Sequence, residues 1–371
     1  MASPYTNLES RSFWRSGVGE TTPATVKDFY RAKFPLGRSQ KIATAGSCFA
    51  QHVSNYLRKN GFSVLDAEPP PSLLDEEDAK RFGYGIYSAR YGNIYTVRQL
   101  LQLARDARSG SVDPADIWTR DGRFFDALRP NVEPDGFQSA EEALELRRDH
   151  LAKVQGLFEQ MDVFIFTLGL TEAWIDRRSG RVFPTAPGTI AGSFDPDIHV
   201  FKNFTFEEIH ADFEAFRACI RERNPGLRII LTVSPVPLTA TASGAHVLLA
   251  TTYSKSVLRA VAGALAASHD DVDYFPSYEV IASPWSRGVY YEDNLRSVRP
   301  DGVAAVMRIF FEAHLSEESA ATGENSREAR RNRRLERREL RRAKKKRRNG
   351  HAEPVEDEVV CEDLLLETFA P

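Results

Sequence analysis

The sequence predicts an α/β fold: an open, mainly parallel, doubly wound sheet with helices on both faces. Two observations carry that expectation. Segments with apolar residues at helical spacing alternate with short, unbroken apolar runs, and such runs mark parallel strands that are covered on both faces. Short loops of unusual composition follow three of those runs, as expected where an open sheet presents its carboxyl ends to a ligand.

Ile42-Ala43-Thr44-Ala45 is the first apolar run, and it stops at Gly46-Ser47. Phe49, Val53, Tyr56 and Leu57 then recur at helical spacing. Asn60-Gly61 is a helix stop, and Phe62 to Leu65 resumes extended character. Glu141 to Gln160 reads as a helix that leads into the strand Val163 to Leu168. Thr205 to Arg223 sets Phe206, Ile209, Phe213, Phe216 and Ile220 along one face, and Asn224-Pro225-Gly226 ends it before the strand Arg228 to Val233. His246 to Ser268 is helical, Val272 to Phe275 is a short strand, and Pro300 to Leu315 is a closing helix with Val303, Val306, Met307 and Phe310 inward. The three loops are Gly46-Ser47-Cys48, Gly169-Leu170-Thr171-Glu172 and Ser234-Pro235-Val236-Pro237.

Two long segments interrupt the alternation. Asp66 to Gly136 is rich in Pro, Gly and aromatics and holds one helix near Val97 to Ala107; Arg177 to Asn203 is the second. Loops of this length are usually lids, binding walls or disordered segments, and the aromatic content argues for ordered walls.

The chain has 371 residues, of which 42% are hydrophobic, enough to bury a sizeable core. Its formal net charge of −3 hides a segregation. Arg327 to Arg348 carries fourteen basic residues against three Glu, and Asn349 to Pro371 carries seven acids and no Lys or Arg. With the three acids of Ser316 to Ser326, this leaves Met1 to Leu315 at −4. The expected organisation is one α/β unit over residues 1–315 and a charged, disordered or helical tail over 316–371. The globular part is no nucleic-acid binder by charge, and any polyanion or protein partner belongs to the tail. The apolar-acidic end Val359 to Leu366 suits a short docking motif. Cys48, Cys219 and Cys361 have neither metal-ligand spacing nor the density of a disulfide framework, which fits a reducing compartment. No segment is apolar enough for a signal peptide or a membrane span, so a cytoplasmic location is expected. No motif calls for a metal or a nucleotide cofactor.

A serine at a strand-to-helix turn holds its hydroxyl at a helix N-terminus, where free backbone N–H groups favour a developing oxyanion. The same residue type is also a preferred N-cap that satisfies a backbone donor. Both readings apply to Ser47. Cys48 offers a rival nucleophile, because a helix N-terminus favours the thiolate.

The string Gly46-Ser47-Cys48-Phe49-Ala50 resembles the signature of the GSCFA family, a group similar to the SGNH (GDSL-like) hydrolases. Thr167 to Glu172, Val233-Ser234-Pro235-Val236 and Tyr253-Ser254-Lys255 are further landmarks, and the resemblance extends over Tyr5 to Leu315. It implies Ser47 as nucleophile and Gly92, before Asn93, as an oxyanion-hole glycine. The third SGNH block, Gly-x-Asn-Asp, reads Gly169-Leu170-Thr171-Glu172 here, so the Thr171 hydroxyl replaces an amide donor. The last block, Asp-x-x-His, reads Asp293-Asn294-Leu295-Arg296, and arginine cannot serve as a general base.

A triad is a matter of geometry and not of chain order, so another histidine is a candidate for the base. His246 lies in a small, polar loop before a helix, and His199 lies near Asp195 and Asp197. His150, His210, His269 and His314 read as solvated residues on polar helix faces or ends, and His52 as pointing away from the turn. Glu172, Asp293 and Arg296 suit either a structural ion pair or the site, with Arg296 able to bind an anionic substrate group. Three functions follow. One is an acyl hydrolase or O-acyltransferase acting through a Ser47 acyl-enzyme on an acylated carbohydrate or other small ester. The second is a non-catalytic glycan- or metabolite-binding protein with the same pocket. The third is an interaction protein whose operative part is the tail.

Overall fold

A computed structural model describes residues 3–315 and 362–370. Its elements in chain order are β1 (Ile42–Gly46), α1 (Phe49–Lys59), α2 (Glu76–Arg81), α3 (Val97–Ser109), β2 (Ile117–Arg120), β3 (Arg123–Asp126), α4 (Ala140–Gln160), β4 (Val163–Leu168), β5 (Glu172–Asp176), β6 (Val182–Phe183), β7 (His199–Asn203), α5 (Phe206–Arg221), β8 (Arg228–Val233), α6 (Val247–Ser268), β9 (Val272–Tyr274), α7 (Ser277–Ala282) and α8 (Pro300–Leu315).

The central sheet has the order β1-β4-β8-β9, and every pairing is parallel. Phe62 to Leu65 extends it by a single bridge between Ile42 and Val64, held by Ile42 N–H to Ser63 O (2.9 Å) and Leu65 N–H to Ile42 O (2.8 Å). The chain therefore winds outward on one side of β1 and then returns to build the sheet on the other. The topological switch point lies between β1 and β4, and ligands of open α/β sheets bind outside the strand ends at such a point.

Side chains along each strand alternate between the two faces. Ala43, Ala45, Phe164, Phe166, Ile229 and Leu231 pack with residues of α3, α4, α5 and α6 in one core. Ile42, Val163, Ile165 and Ile230 pack with α1, α7 and α8 in the other. The expected doubly wound α/β fold is thus found, with helices on both faces.

Local chemistry fixes the element ends. Thr96 with Gln99 and Thr205 with Glu208 form capping boxes that start α3 and α5. Gly110, in the left-handed region, closes α3. The two long segments are more regular than expected. Asp66 to Gly136 contains α2 and the β2–β3 hairpin as well as α3, and the hairpin turns through Asp121-Gly122, both at positive φ. Arg177 to Asn203 supplies β6 and β7, which pair antiparallel with β5. Glu172 accordingly begins a strand rather than lying in a loop. The basic stretch Arg327 to Arg348 lies outside the described residues, while Glu362–Phe369 forms a 3₁₀ segment.

Candidate active site

The β1–α1 turn is built on Gly46, which holds φ at +136°; a Cβ there would stand 2.4 Å from Thr167 O and 2.7 Å from Thr167 N. Only glycine allows β1 to run this close to β4. Ser47 follows, 3% exposed, with its backbone N–H donating to Thr167 O (3.1 Å) and its carbonyl accepting from Ala50 N–H (2.8 Å). Its hydroxyl is sealed from solvent and has no hydrogen-bond partner among the described residues. The side chain therefore does not cap α1, and the structural role that sequence offered for this serine is not the one it plays.

Gly169 packs directly on Ser47. A Cβ at Gly169 would lie 2.9 Å from Ser47 Cβ and 3.0 Å from Tyr95 O. The loop it begins is held from three sides. Gly169 and Leu170 N–H both donate to Tyr95 O (3.1 and 2.9 Å), Thr171 N–H donates to Ser254 Oγ (3.0 Å), and Lys255 Nζ donates to Gly169 O (2.7 Å). The Thr171 hydroxyl is buried and, like that of Ser47, makes no hydrogen bond among the described residues. On the next side, Ile94 N–H donates to Gly46 O (2.9 Å). Gly92 takes a left-handed conformation, and the buried Asn93 side-chain oxygen accepts from the Tyr87 hydroxyl, which lies 3.2 Å from Ser47 O. Cys48 is buried behind the turn.

The structure thus sets Gly169 against Ser47, with Thr171 in the same loop and Asn93 linked to the turn through Tyr87, and it holds each candidate base by a bond of its own. His246 is exposed and caps α6, its Nδ1 accepting from Leu248 N–H (3.2 Å). His199 belongs to β7; its Nδ1 accepts from Asp195 N–H (3.0 Å), and its ring packs by Phe183 and Phe194. His52 packs edge-on to Phe49. Glu172 continues from the site loop, and burial raises its pKa against the opposing hydrogen bond from Thr241 (2.8 Å). Asp293 is exposed, and Arg296 is half-buried in a turn where its backbone N–H meets Asn294 Oδ1 (3.0 Å). That turn is tied to the β8 loop by the Tyr291 hydroxyl, which donates to Pro235 O (2.7 Å).

Two histidines differ from expectation. His150 and His314, read as solvated, are 0% and 2% exposed. Burial pushes each down to about 4. Burial pushes the Glu68 carboxyl up, but the hydrogen bond from His150 Nδ1 (2.8 Å) and the neighbouring positive charge outweigh it and hold Glu68 at about 2. This pair adjoins a buried ionic cluster in which Arg129 bonds Asp126 (2.7 Å), Arg147 reaches Asp126 (3.4 Å) and Asp106 (3.3 Å), and Arg181 reaches Asp106 (2.7 Å) and Asp116 (2.9 Å). The cluster joins α3, α4, the hairpin and the β5–β6 turn. Helical periodicity missed it because burial of charge is decided by partners distant in sequence.

Sequence reasoning also gave no role to Tyr87, Ser254 and Lys255. The signal for Lys255 was present: it lies on the inward stripe of α6 with Ala250, Ser254, Leu258, Val261 and Leu265, where a lysine is out of place.

No curated protein and no solved structure matches the chain. The GSCFA family model matches residues 41–310, which span the turn at Ser47, the Gly169 loop and all four strands of the parallel sheet. The chain belongs to the GSCFA family.

Proposed function

We propose that the protein is an SGNH-like serine acyl hydrolase or O-acyltransferase in which Ser47 carries the acyl group. One observation carries this reading: the Ser47 hydroxyl lies buried at the switch point of the sheet, packed by Gly169, with neither a cap nor any other hydrogen bond among the described residues. An orphaned buried hydroxyl costs roughly 1–3 kcal/mol, and an alanine would avoid that cost. The parallel, doubly wound sheet and the serine's place after its first strand support the likeness to SGNH hydrolases. An acylated carbohydrate is the substrate class that likeness implies, and a soluble cytoplasmic donor makes transfer as suitable as hydrolysis. Catalytic hydrogen bonds often tighten only when substrate is present, so a resting site without a bonded base is compatible with this chemistry.

A second reading, a non-catalytic glycan- or metabolite-binding pocket, is favoured by a different observation. Among the described residues no imidazole bonds the Ser47 hydroxyl, and the Ser47 N–H is already taken by Thr167 O. Labelling with a fluorophosphonate separates the two. Acyl transfer expects labelling of the folded wild type that vanishes in Ser47→Ala, whereas no labelling of folded wild type points to the binding protein.

A further inference from the structure

Lys255 is the only buried lysine among the described residues, 1% exposed. An ammonium is costly to remove from water, and a methionine or leucine on the same inward stripe of α6 would fill comparable space without that cost. Its position is specific. Nζ donates to the carbonyl of Gly169 at 2.7 Å, and Gly169 is the residue that touches Ser47 so closely that it cannot carry a side chain without displacing it. The preceding residue, Ser254, fixes Thr171 of the same loop. Two successive residues of α6 therefore hold the loop against the serine. The bonded distance, the close packing at Gly169 and standard bond lengths together put the ammonium no more than roughly 11 Å from the Ser47 hydroxyl. Both groups are sealed from solvent, so the charge is poorly screened over that span.

We propose that Lys255 supplies the positive charge of the Ser47 site: it fixes Gly169 against the serine and stabilises negative charge at the Ser47 side-chain oxygen. This role rests on the reading that Ser47 is the reacting group, and it places a cation of the chain's own behind the loop that packs on the serine. It requires no base at Lys255 and no contact between Nζ and Ser47, so Lys255 is a positioning and electrostatic residue.

The test reads the electric effect directly and does not depend on turnover. In full-length protein with Cys48→Ala, Ser47→Cys places a titratable thiol at the site. Its ionisation is followed by thiolate absorbance, as the difference from the same protein without Ser47→Cys. Lys255→Met is then added, with Lys255→Gln as the second variant should the first fail to fold, and circular dichroism checks each. At an effective dielectric near 20, a unit charge within that span shifts the thiol by about one pH unit. The expected result is titration at least about one unit lower with Lys255 present. Equal titration in folded proteins overturns the proposal, whatever the wild type does with a fluorophosphonate. A shifted thiol in a protein whose serine is never labelled upholds the role of Lys255 and sinks the acyl-transfer reading alone.

Discussion

Gly169→Ala tests the packing on which the site depends. The backbone of Gly169 lies outside the left-handed region, so alanine meets no conformational penalty there, only crowding. Its methyl would start 2.9 Å from Ser47 Cβ, 3.0 Å from Tyr95 O and 3.3 Å from Tyr95 Cα. Relief requires movement of the β1–α1 turn or of the Tyr95 carbonyl that holds Gly169 and Leu170. Overpacking of this kind costs about 1–3 kcal/mol, too little to unfold a domain of ordinary stability. Scaled to a globular unit of this size, the melting temperature should fall by about 2–5 °C. The functional cost is larger than the thermal one, since a displacement of an ångström at a reacting centre can cost on the order of a hundredfold in rate. On the acyl-transfer reading, fluorophosphonate labelling of Ser47 should therefore slow at least about tenfold in protein that remains folded. A variant with unchanged melting and unchanged labelling would show that Gly169 does not constrain the serine.

Three further predictions follow from the buried groups. Gly46→Ala combines a clash at 2.4 Å with a backbone conformation closed to alanine; it should cost more than about 4 kcal/mol and give little folded protein, scored by soluble yield and circular dichroism. His150 and His314, each held at about 4 in the fold against an ordinary 6.5, bind more protons when unfolded. Each lowered pKa therefore lowers stability as pH falls from 6.5 toward 4, by about 2 kcal/mol per histidine at pH 5. Urea midpoints should be level above pH 7 and fall steeply below 6.5, and His314→Phe should flatten that slope. Asp126→Asn removes the carboxylate that bonds Arg129, while Arg147 keeps Asp106; leaving the buried Arg129 without its ion-pair partner should cost about 3–5 kcal/mol, measured by denaturant unfolding.

The elements that sequence placed well are those whose signal is local. Phe164 and Ile165 point to opposite faces and both find cores, so the unbroken apolar run of β4 was a sound guide. The start of α5 was legible because Thr205 and Glu208 state their own cap. Gly46 was legible as a tight turn, although the need for it, the nearness of Thr167, lies 121 residues away. What sequence could not give was partnership over such distances. His150 sits among residues of ordinary polar spacing, and only Glu68, 82 residues earlier, explains its burial. His246 and His199 differ: loop composition nominated both, and the backbone N–H groups that hold their rings, those of Leu248 and Asp195, lie close by in sequence.

The parallel sheet ends in very little strand on either side. Val64 contributes one bridge beyond β1, and β9 has three residues. A long, flat edge offers a row of unpaired amide groups to any neighbouring chain, and shortening the edge is one way natural sheets resist recruitment into larger assemblies. The parallel sheet has almost no edge to recruit. Aggregation through this sheet should therefore track loss of the fold itself, which makes turbidity on heating a usable reporter of unfolding for the variants above.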